Sequence, residues 1–397
     1  MDWKKIIKPR KKPARKFESW HLGGRTVWTP RNYQKLSEEG YQKNVIVYRC
    51  VNLIAKNLAM PPWVLYDAGH EVENHFLCNL IERPNPTQTR TAFLEALASY
   101  LLLDGNAYVQ AVGEEGTPRE LFLLRPDRVT IMAGEGGAPK GYVYQVDNTK
   151  HFYPVDLETG ACAILHVKLF HPLNDWYGMS PIEAAAASID QHNAVGTHNL
   201  SLLQNGGRPT GALVIPKSSG GGMTEEQREQ LKQTLQSVYQ GSDNAGKVLV
   251  LEEGMAWQDM GLSPKDLDFI AGKYVSTREI AQAFGVPSML VGVPGDSTFS
   301  NYREARFHLW EDTVLPLLHM VMEEMNRWIV PAYGEQLAFS YDADKIPALG
   351  SRREQLWARI QEASFLTLNE KRMALGYSPL PKGDACPTER EINNDKN

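Results

Sequence analysis

Residues 241–248 have the glycine and lysine spacing of a phosphate-binding loop. The segment reads Gly-Ser-Asp-Asn-Ala-Gly-Lys-Val and fits the pattern GxxxxGK. Such a loop needs Ser or Thr at the next position to bind Mg²⁺, whereas this chain has Val248. The predicted order is also reversed, because a helix precedes the segment and a strand follows it, and phosphates bind where a helix begins. A nucleotide-binding or nucleic-acid-processing enzyme is therefore kept only as an alternative hypothesis for the function.

The histidines and cysteines form no pattern of a metal or catalytic site. His192 and His198 are six residues apart, which puts them on opposite sides of a helix, so they cannot share a metal. The cysteines lack a C-x-x-C pair and are predicted to be buried, reduced thiols: Cys50, Cys78, Cys162 and Cys386. We expect no catalytic residue, no metal ligand and no cofactor.

The charge distribution argues against a tight grip on nucleic acid by the body of the chain. The 397 residues carry a net charge of −5, and 42% are hydrophobic, which is enough for a sizeable core. Residues 1–16 hold eight basic side chains and one acidic one, so this segment carries +7 and the remainder −12. Tight binding to DNA requires Lys and Arg that replace phosphate counterions.

Three tryptophans have a spacing that favours core packing over base stacking: Trp257, Trp310 and Trp328.

Residues 1–44 are predicted to be a flexible basic arm, because Pro9 and Pro13 oppose regular structure. Two hypotheses remain for the arm: it contacts nucleic acid or an acidic partner, or it is only a solvated tail. An adaptor that binds partners or membranes through this arm is a third hypothesis. No apolar run approaches the roughly 18 residues of a membrane-spanning helix, so we expect a soluble, intracellular protein with no membrane segment.

Residues 45–178 are predicted to form one α+β unit. A helix runs from Val45 to Leu58, and a second helix, capped by Thr89 or Thr91, runs to Gly105. Short strand-like runs separated by glycine and proline follow: 107–112, 120–124, 129–132, 142–146 and 164–170.

Two long helices with a small insert between them are predicted in the middle of the chain. The first opens with the capping box Ser180-Pro181-Ile182-Glu183 and ends at Gly206. The second starts near Ser263 and closes at Gly285. Their apolar residues alternate in steps of three and four, typical of helices packed along each other. The packing residues we select are Ile182, Ala186, Ile189, Leu200, Leu203, Leu267, Ile270 and Tyr274.

The C-terminal third begins with a polar loop at 292–301 and a long helix at 302–330. Pro316 lies inside that helix and is expected to kink it, because it removes a backbone hydrogen bond. A short strand at 337–341, one or two helices and a polar tail are predicted for residues 331–397.

Several motifs, in this order, resemble the portal proteins of tailed double-stranded DNA bacteriophages, in their short form of about four hundred residues. They are the segment 48–66, Pro84-Asn85-Pro86 with the later Gly105-Asn106-Ala107-Tyr108, Gly178-Met179-Ser180-Pro181-Ile182, Phe284-Gly285-Val286-Pro287, Asn301-Tyr302-Arg303-Glu304, and Leu368-Asn369-Glu370 with Gly383-Asp384. Ser288 stands where proline is usual in the family. Each motif alone is weak, but together they span residues 45–385.

The resemblance implies an α+β portal-like fold with a wing, a long-helix stem, a small α/β clip and a mostly helical crown. On this chain the wing is 45–178, and the stem helices are 179–206 and 263–291. The clip is 207–262, the tunnel loop 292–301, the kinked tunnel or wing helix 302–330, and the crown and tail 331–397. The tunnel-loop residues expected to face DNA are Asp296, Ser297, Thr298, Phe299, Ser300 and Asn301.

The resemblance also implies a structural role without catalysis. Such proteins form rings, usually of twelve subunits, at one capsid vertex, and double-stranded DNA passes through them. The implied partners are other copies of the chain, a terminase ATPase, head-completion or adaptor proteins and the major capsid protein. The expected location is the portal vertex of a virion that is assembled in the host cytoplasm. The acidic body suits a conduit, since a channel should not bind what slides through it.

Overall fold

The computed structural model describes residues 28–114, 117–134, 139–204, 211–214, 226, 229, 256–259, 269–293, 299–334, 336–375 and 379–380. Among the predicted features, the basic segment 1–16, the phosphate-loop-like segment 241–248 and Cys386 lie outside these residues. Within the described residues helices and antiparallel sheets are mixed, so the predicted α+β class is confirmed.

The first described segment, residues 29–44, is a strap that lies against the rest of the chain. Helix α1 (Tyr33–Leu36) continues as a π-helical turn (Ser37–Gln42), and Leu36 and Gly40 are buried. The sequence predicts a flexible arm through residue 44, but residues 33–42 are helical. The segment is polar and has no apolar stripe, so its order comes from contacts with distant residues.

Helix α2 (Val45–Leu58) forms the centre of the main core. Asn44 caps it, since its Oδ1 accepts hydrogen bonds from the amides of Ile46 and Val47 at 3.0 and 3.2 Å. Its apolar residues at helical spacing are buried: Val47, Val51, Ile54 and Leu58. Burial of each such side chain contributes about 1.5–3 kcal/mol. The helix ends at Leu58, as predicted, and Pro61 and Pro62 follow it.

Three small antiparallel sheets surround the helices of the N-terminal part. The first has the order β11-β1-β2, with β11 at Leu337–Tyr341, β1 at Trp63–Asp67 and β2 at His70–Val72. Helix α3 (Phe76–Glu82) and helix α4 (Arg90–Asp104) follow, and Thr89 caps α4. The second sheet has the order β4-β3-β8, with strands at Asn106–Glu114, Thr117–Leu124 and Ile164–Lys168 in the chain order β3, β4, β8.

The third sheet consists of β5 (Val129–Ala133), β6 (Pro139–Val146) and β7 (Thr149–Pro154). Strand β7 escapes sequence prediction because its residues are almost all exposed and show no alternation. A small second core joins this sheet to the second one through Tyr108, Leu124, Val129, Tyr142 and Ile164.

The two predicted long helices pack on each other. They are α5 (Pro181–Gln204) and α6 (Phe269–Ala283). Ser180 caps α5, since its Oγ accepts from the amide of Glu183 at 3.2 Å. Gly285 closes α6 with a φ of +67°, as the sequence predicts. From the insert, the structure describes one antiparallel pair, β9 (Gly211–Val214) with β10 (Ala256–Asp259).

The long C-terminal helix starts earlier than predicted and changes its hydrogen bonding in the middle. It comprises α7 (Phe299–His308), a π-helical segment (Leu309–Val314) and α8 (Leu315–Ile329). Pro316 has no amide hydrogen for the carbonyl of Asp312 and its ring crowds that carbonyl, which explains the interruption just before it.

The last described elements are β11 (Leu337–Tyr341), α9 (Gly350–Glu362) and α10 (Leu368–Ala374). Strand β11 pairs with β1, with Phe339 opposite Leu65. The predicted boundary at residue 331 therefore separates two strands that pair with each other.

Candidate functional site

The paired helices α5 and α6 are buried at one end and exposed at the other. Ile182, Ala186 and Ile189 of α5 are buried, as are Ser276, Thr277, Ile280 and Ala281 of α6. Ser188 donates a hydrogen bond from Oγ to Oε2 of Glu279 at 2.7 Å across the pair. This end of the pair therefore packs within the chain.

Toward the other end, large apolar side chains face solvent. Leu200 is 54% exposed, and Tyr274 and Val275 of α6 are also exposed. A Cβ added at Gly196 or Gly272 would meet no described atom within 4 Å. Of the remaining packing residues chosen from the sequence, Leu203 lies in α5 and Ile270 in α6, while Leu267 lies outside the described residues.

The strap lies across α5 and is hydrogen-bonded to it. The amide of Thr29 donates to Oδ2 of Asp190 at 2.8 Å, and its hydroxyl donates to Oδ1 of the same carboxylate. Further along, Gly40 lies against the side chains of Ile182 and Ile189. The apolar stripe on α5 thus packs partly against the strap, whereas the sequence predicts a neighbouring helix as its partner.

The end of the strap contains a buried polar contact with α5. Asn44 Nδ2 donates to Oδ1 of Asn193 at 2.9 Å and lies 3.2 Å from Nδ1 of His192. Asn193 in turn donates to the carbonyl of Glu39. Burial lowers the pKa of His192, and the nearby charge of Lys273 lowers it further. His192 is therefore a neutral packing residue at this position.

Helix α7 begins inside the predicted loop 292–301. A 3₁₀ turn (Ser288–Val291) precedes Gly292, and Val293 is buried. Three residues predicted to lie in the loop, Phe299, Ser300 and Asn301, are instead the first residues of α7. Asp296, Ser297 and Thr298 lie outside the described residues.

The base of that segment is held from two sides. Thr313 Oγ1 in the π-helical segment donates to the carbonyl of Gly285 at 2.7 Å. Arg49 Nε of α2 donates to the carbonyl of Leu290 at 3.4 Å. The loop after Gly292 therefore follows a backbone segment that is hydrogen-bonded both to α2 and to the π-helical segment of the long helix.

A second cluster of side chains joins the motif around Asn106 to the motif that begins at Gly178. The sequence gives no sign that these two segments are in contact. Asn106 Oδ1 accepts from the Gly178 amide at 2.7 Å and lies 3.0 Å from Nε2 of His166. Since this oxygen can only accept, His166 carries its proton on Nε2. Burial lowers the pKa of His166 to about 3, with Lys168 adding to the effect, so the ring is neutral and stacks on Tyr108.

The remaining candidates for chemistry have structural contacts. Trp310 is buried in the main core, and Trp328 donates from Nε1 to the carbonyl of Cys162 at 2.9 Å. The three described cysteines are free thiols. Among the described residues no group of three His, Cys, Asp or Glu is arranged to hold a metal. None of the described helices combines the length and the apolar character required to cross a membrane.

Comparisons with known proteins give one consistent result. The family model described as "Phage portal protein" matches residues 45–376. A protein of Rickettsia bellii (strain RML369-C), named only "Uncharacterized protein", is 43% identical over 87% of this chain and 90% of its own length. The portal protein of Enterobacteria phage HK97 is 25% identical, covering 94% of this chain and 90% of its own.

Among solved structures, a chain from the neck of a native gene transfer agent (GTA) particle, computed with C12 symmetry, is 42% identical. The match covers 90% of this chain and 96% of that one, with a TM-score of 0.69.

Proposed function

The chain belongs to the phage portal protein family and is a structural portal subunit, and from this premise we propose that twelve copies close into a ring that conducts double-stranded DNA. The observation that supports the ring best is the exposed end of the α5–α6 pair. Leu200, Tyr274 and Val275 face solvent there, although the other end of the same pair is buried. A closed ring covers such surfaces by head-to-tail contact with the next subunit.

The proposed ring has a direct test in images of purified particles. We expect twelvefold rotational symmetry, and a protein that stays monomeric at every concentration contradicts the ring. Leu200→Asp places a charge on the proposed contact and is expected to raise the concentration needed for assembly. Gln191→Asp introduces the same side chain at an exposed position of α5 nearer its buried end and is the matched control.

The proposed conduit is passive. Between Lys273 and Arg303 the chain has one basic residue, Arg278, so the loop after Gly292 is poor in phosphate-binding side chains. The acidic net charge of residues 17–397 fits a wall along which DNA slides. We assign Asp296, Ser297 and Thr298 to a loop that contacts or gates DNA in the channel. Deletion of residues 296–298 is expected to impair packaging or DNA retention, and unchanged packaging and retention contradict this role.

We also propose a division of the subunit. The sheets and helices of residues 45–178, together with β11, form the wing, and α5 with α6 forms the stem. Residues 207–262 form the clip, and the crown lies beyond Tyr341. We assign the clip as the surface for a terminase and, later, for adaptor proteins, while the major capsid protein surrounds the ring. Replacement of 215–255 by a short linker should leave rings intact but abolish terminase binding, and retained binding contradicts the assignment.

ATP hydrolysis belongs to the terminase in this proposal. Nucleotide binding by the purified subunit would favour the enzyme hypothesis instead.

A further inference from the structure

Phe170 and Leu173 are the two most exposed large apolar side chains of the described residues, at 86% and 92%. They lie three residues apart in residues 169–175, which we call the apolar loop, between β8 and the start of α5. A single exposed apolar side chain is ordinary on a protein surface. Two of them on one short loop, both almost free of contact with their own chain, contribute little to the fold of the subunit.

The apolar loop is held in one conformation by its own hydrogen bonds. Lys168 Nζ donates to the carbonyl of Asp175, which closes the loop across its base. The Leu173 amide donates to Nδ1 of His171 at 3.0 Å. Asn174 Oδ1 accepts from the amides of Trp176 and Tyr177 at 2.9 and 3.1 Å. These bonds turn the backbone so that the two apolar side chains point away from it.

The rest of the chain fixes both ends of the loop. The Leu169 amide donates to the carbonyl of Gly105 at 2.8 Å, and the Gly178 amide donates to Asn106 at 2.7 Å. A loop that is already ordered loses little conformational entropy when it binds a partner. The apolar loop therefore has the properties of a docking element: exposed apolar area on a preformed backbone.

We infer that Phe170 and Leu173 dock on a second copy of this chain and form a contact between neighbouring subunits. This inference rests on the ring proposed above. The GTA neck chain that is 42% identical to this one was computed with C12 symmetry, so in that particle each copy has a neighbour on both sides. Residue 179 leads from the loop into the buried end of α5, so this contact lies at the opposite end of that helix from the proposed stem contact at Leu200. In a head-to-tail ring each copy donates its loop to one neighbour and receives the loop of the other.

Paired substitutions test the inference in the full-length chain. The double variant Phe170→Ser, Leu173→Ser removes the apolar area, and Leu157→Ser is the matched control, since Leu157 is 73% exposed in the turn after β7. Ring formation is followed against protein concentration by mass photometry. We expect the half-assembly concentration of the double variant to rise at least tenfold, and that of the control to change less than twofold. The conservative pair Phe170→Leu, Leu173→Met should assemble like the wild type.

The outcomes separate the inference from the proposed function. Wild-type rings together with a double variant that assembles like the control overturn the docking role and leave the ring standing. A wild type that never assembles overturns both. A double variant that melts below the control shows that these side chains stabilise their own subunit, which also overturns the inference.

A photoreactive benzoylphenylalanine in place of Phe170 identifies the occupant in assembled particles. A cross-link to a second copy of the chain is expected, and a cross-link to a different protein overturns the inference.

Discussion

The carboxamide of Asn106 and the amide of Gly178 are 2.7 Å apart and join two segments that are separated by 72 residues. Asn106 begins β3 directly after α4, and Gly178 lies just before the cap of α5. Asn106 also contacts His166 in β8 and the carboxylate of Asp104 through Nδ2. One buried amide side chain therefore sets the position of α5 relative to the sheet of β3, β4 and β8.

Replacement of Asn106 by Ala should destabilise the subunit strongly. The change leaves the buried Gly178 amide and the His166 ring without their acceptor, and an unpaired buried donor costs about 1–3 kcal/mol. We expect the free energy of unfolding to fall by about 2–4 kcal/mol in urea denaturation. Gln145→Ala removes an exposed amide side chain and should change it by less than about 0.5 kcal/mol. Equal effects of the two substitutions would contradict the role of Asn106.

Substitution by alanine should change the free energy of unfolding in opposite directions at Gly178 and at Gly196. A Cβ on Gly178 would lie 2.1 Å from the carbonyl oxygen of Gly105 and 2.8 Å from the backbone of Leu169, and backbone atoms cannot move aside easily. We expect Gly178→Ala to lower the unfolding free energy by about 3 kcal/mol or more. Gly196 lies within α5 with no described atom in the way, so Gly196→Ala should raise it by about 0.5–1 kcal/mol. Denaturation of both variants at concentrations below ring assembly checks the signs.

Much of the fold could be predicted because its signals are local. The stripe of Val47, Val51 and Ile54, the cap at Ser180 and the stop at Gly285 each act within a few residues of chain. The pairing of β1 with β11 joins residues 63–67 to 337–341 and leaves no mark in either segment. The strap is the same kind of case, because its order depends on Ile182, Ile189 and Asp190, which are far away in sequence.

The candidate site was predictable to a smaller extent. The spacing of Ile182, Ala186 and Ile189 indicates a packed helix face, and these side chains are buried. The same spacing continues to Leu200 and to Tyr274 on the partner helix, which are exposed. A periodic apolar stripe predicts that a helix face is buried. It does not distinguish burial by the same chain from burial by a neighbouring chain. Whether these residues pack between subunits stays a prediction.

Two glycines in the segment between α6 and α7 should differ in their tolerance of a side chain. Gly285 and Gly292 both have a positive φ, so alanine costs about 1 kcal/mol of backbone strain at either position. At Gly285 the new Cβ would also meet Thr313 Oγ1 at 2.6 Å, whereas no described atom lies within 4 Å at Gly292. We expect Gly285→Ala to destabilise by about 1–2 kcal/mol more than Gly292→Ala. Thermal unfolding midpoints of the two variants measure this difference, and identical midpoints would show that Thr313 moves aside without cost.

Asp190 should control how tightly the strap lies on α5. Its carboxylate accepts both bonds from Thr29, and hydrogen bonds to a charged group contribute about 1.5–3 kcal/mol. Asp190→Asn is expected to speed amide hydrogen exchange in residues 29–36 by about tenfold or more, since 1.4 kcal/mol corresponds to a factor of ten. Glu38→Gln removes an exposed ion pair with Lys35 in the strap itself and should have little effect. Unchanged exchange in Asp190→Asn would mean that other contacts hold the strap.

The carboxyl group of Asp104 should make the subunit less stable as the pH rises from about 4 to 6. Burial raises its pKa to about 6, with the hydrogen bond from Asn106 acting against the shift and the carboxylates of Asp127 and Glu183 supporting it, whereas the unfolded chain has a value near 3.9. Between these values the folded chain binds more protons than the unfolded one, so the unfolding free energy falls with increasing pH. Asp104→Asn removes the charge and keeps an oxygen that accepts from Asn106. The variant should therefore be about 1–3 kcal/mol more stable than the wild type at pH 7.5, and the difference should vanish near pH 4. Because both proteins contain His166 and His192, the titration of these histidines cancels in the comparison. A difference that is the same at both pH values would assign the effect to packing instead of charge.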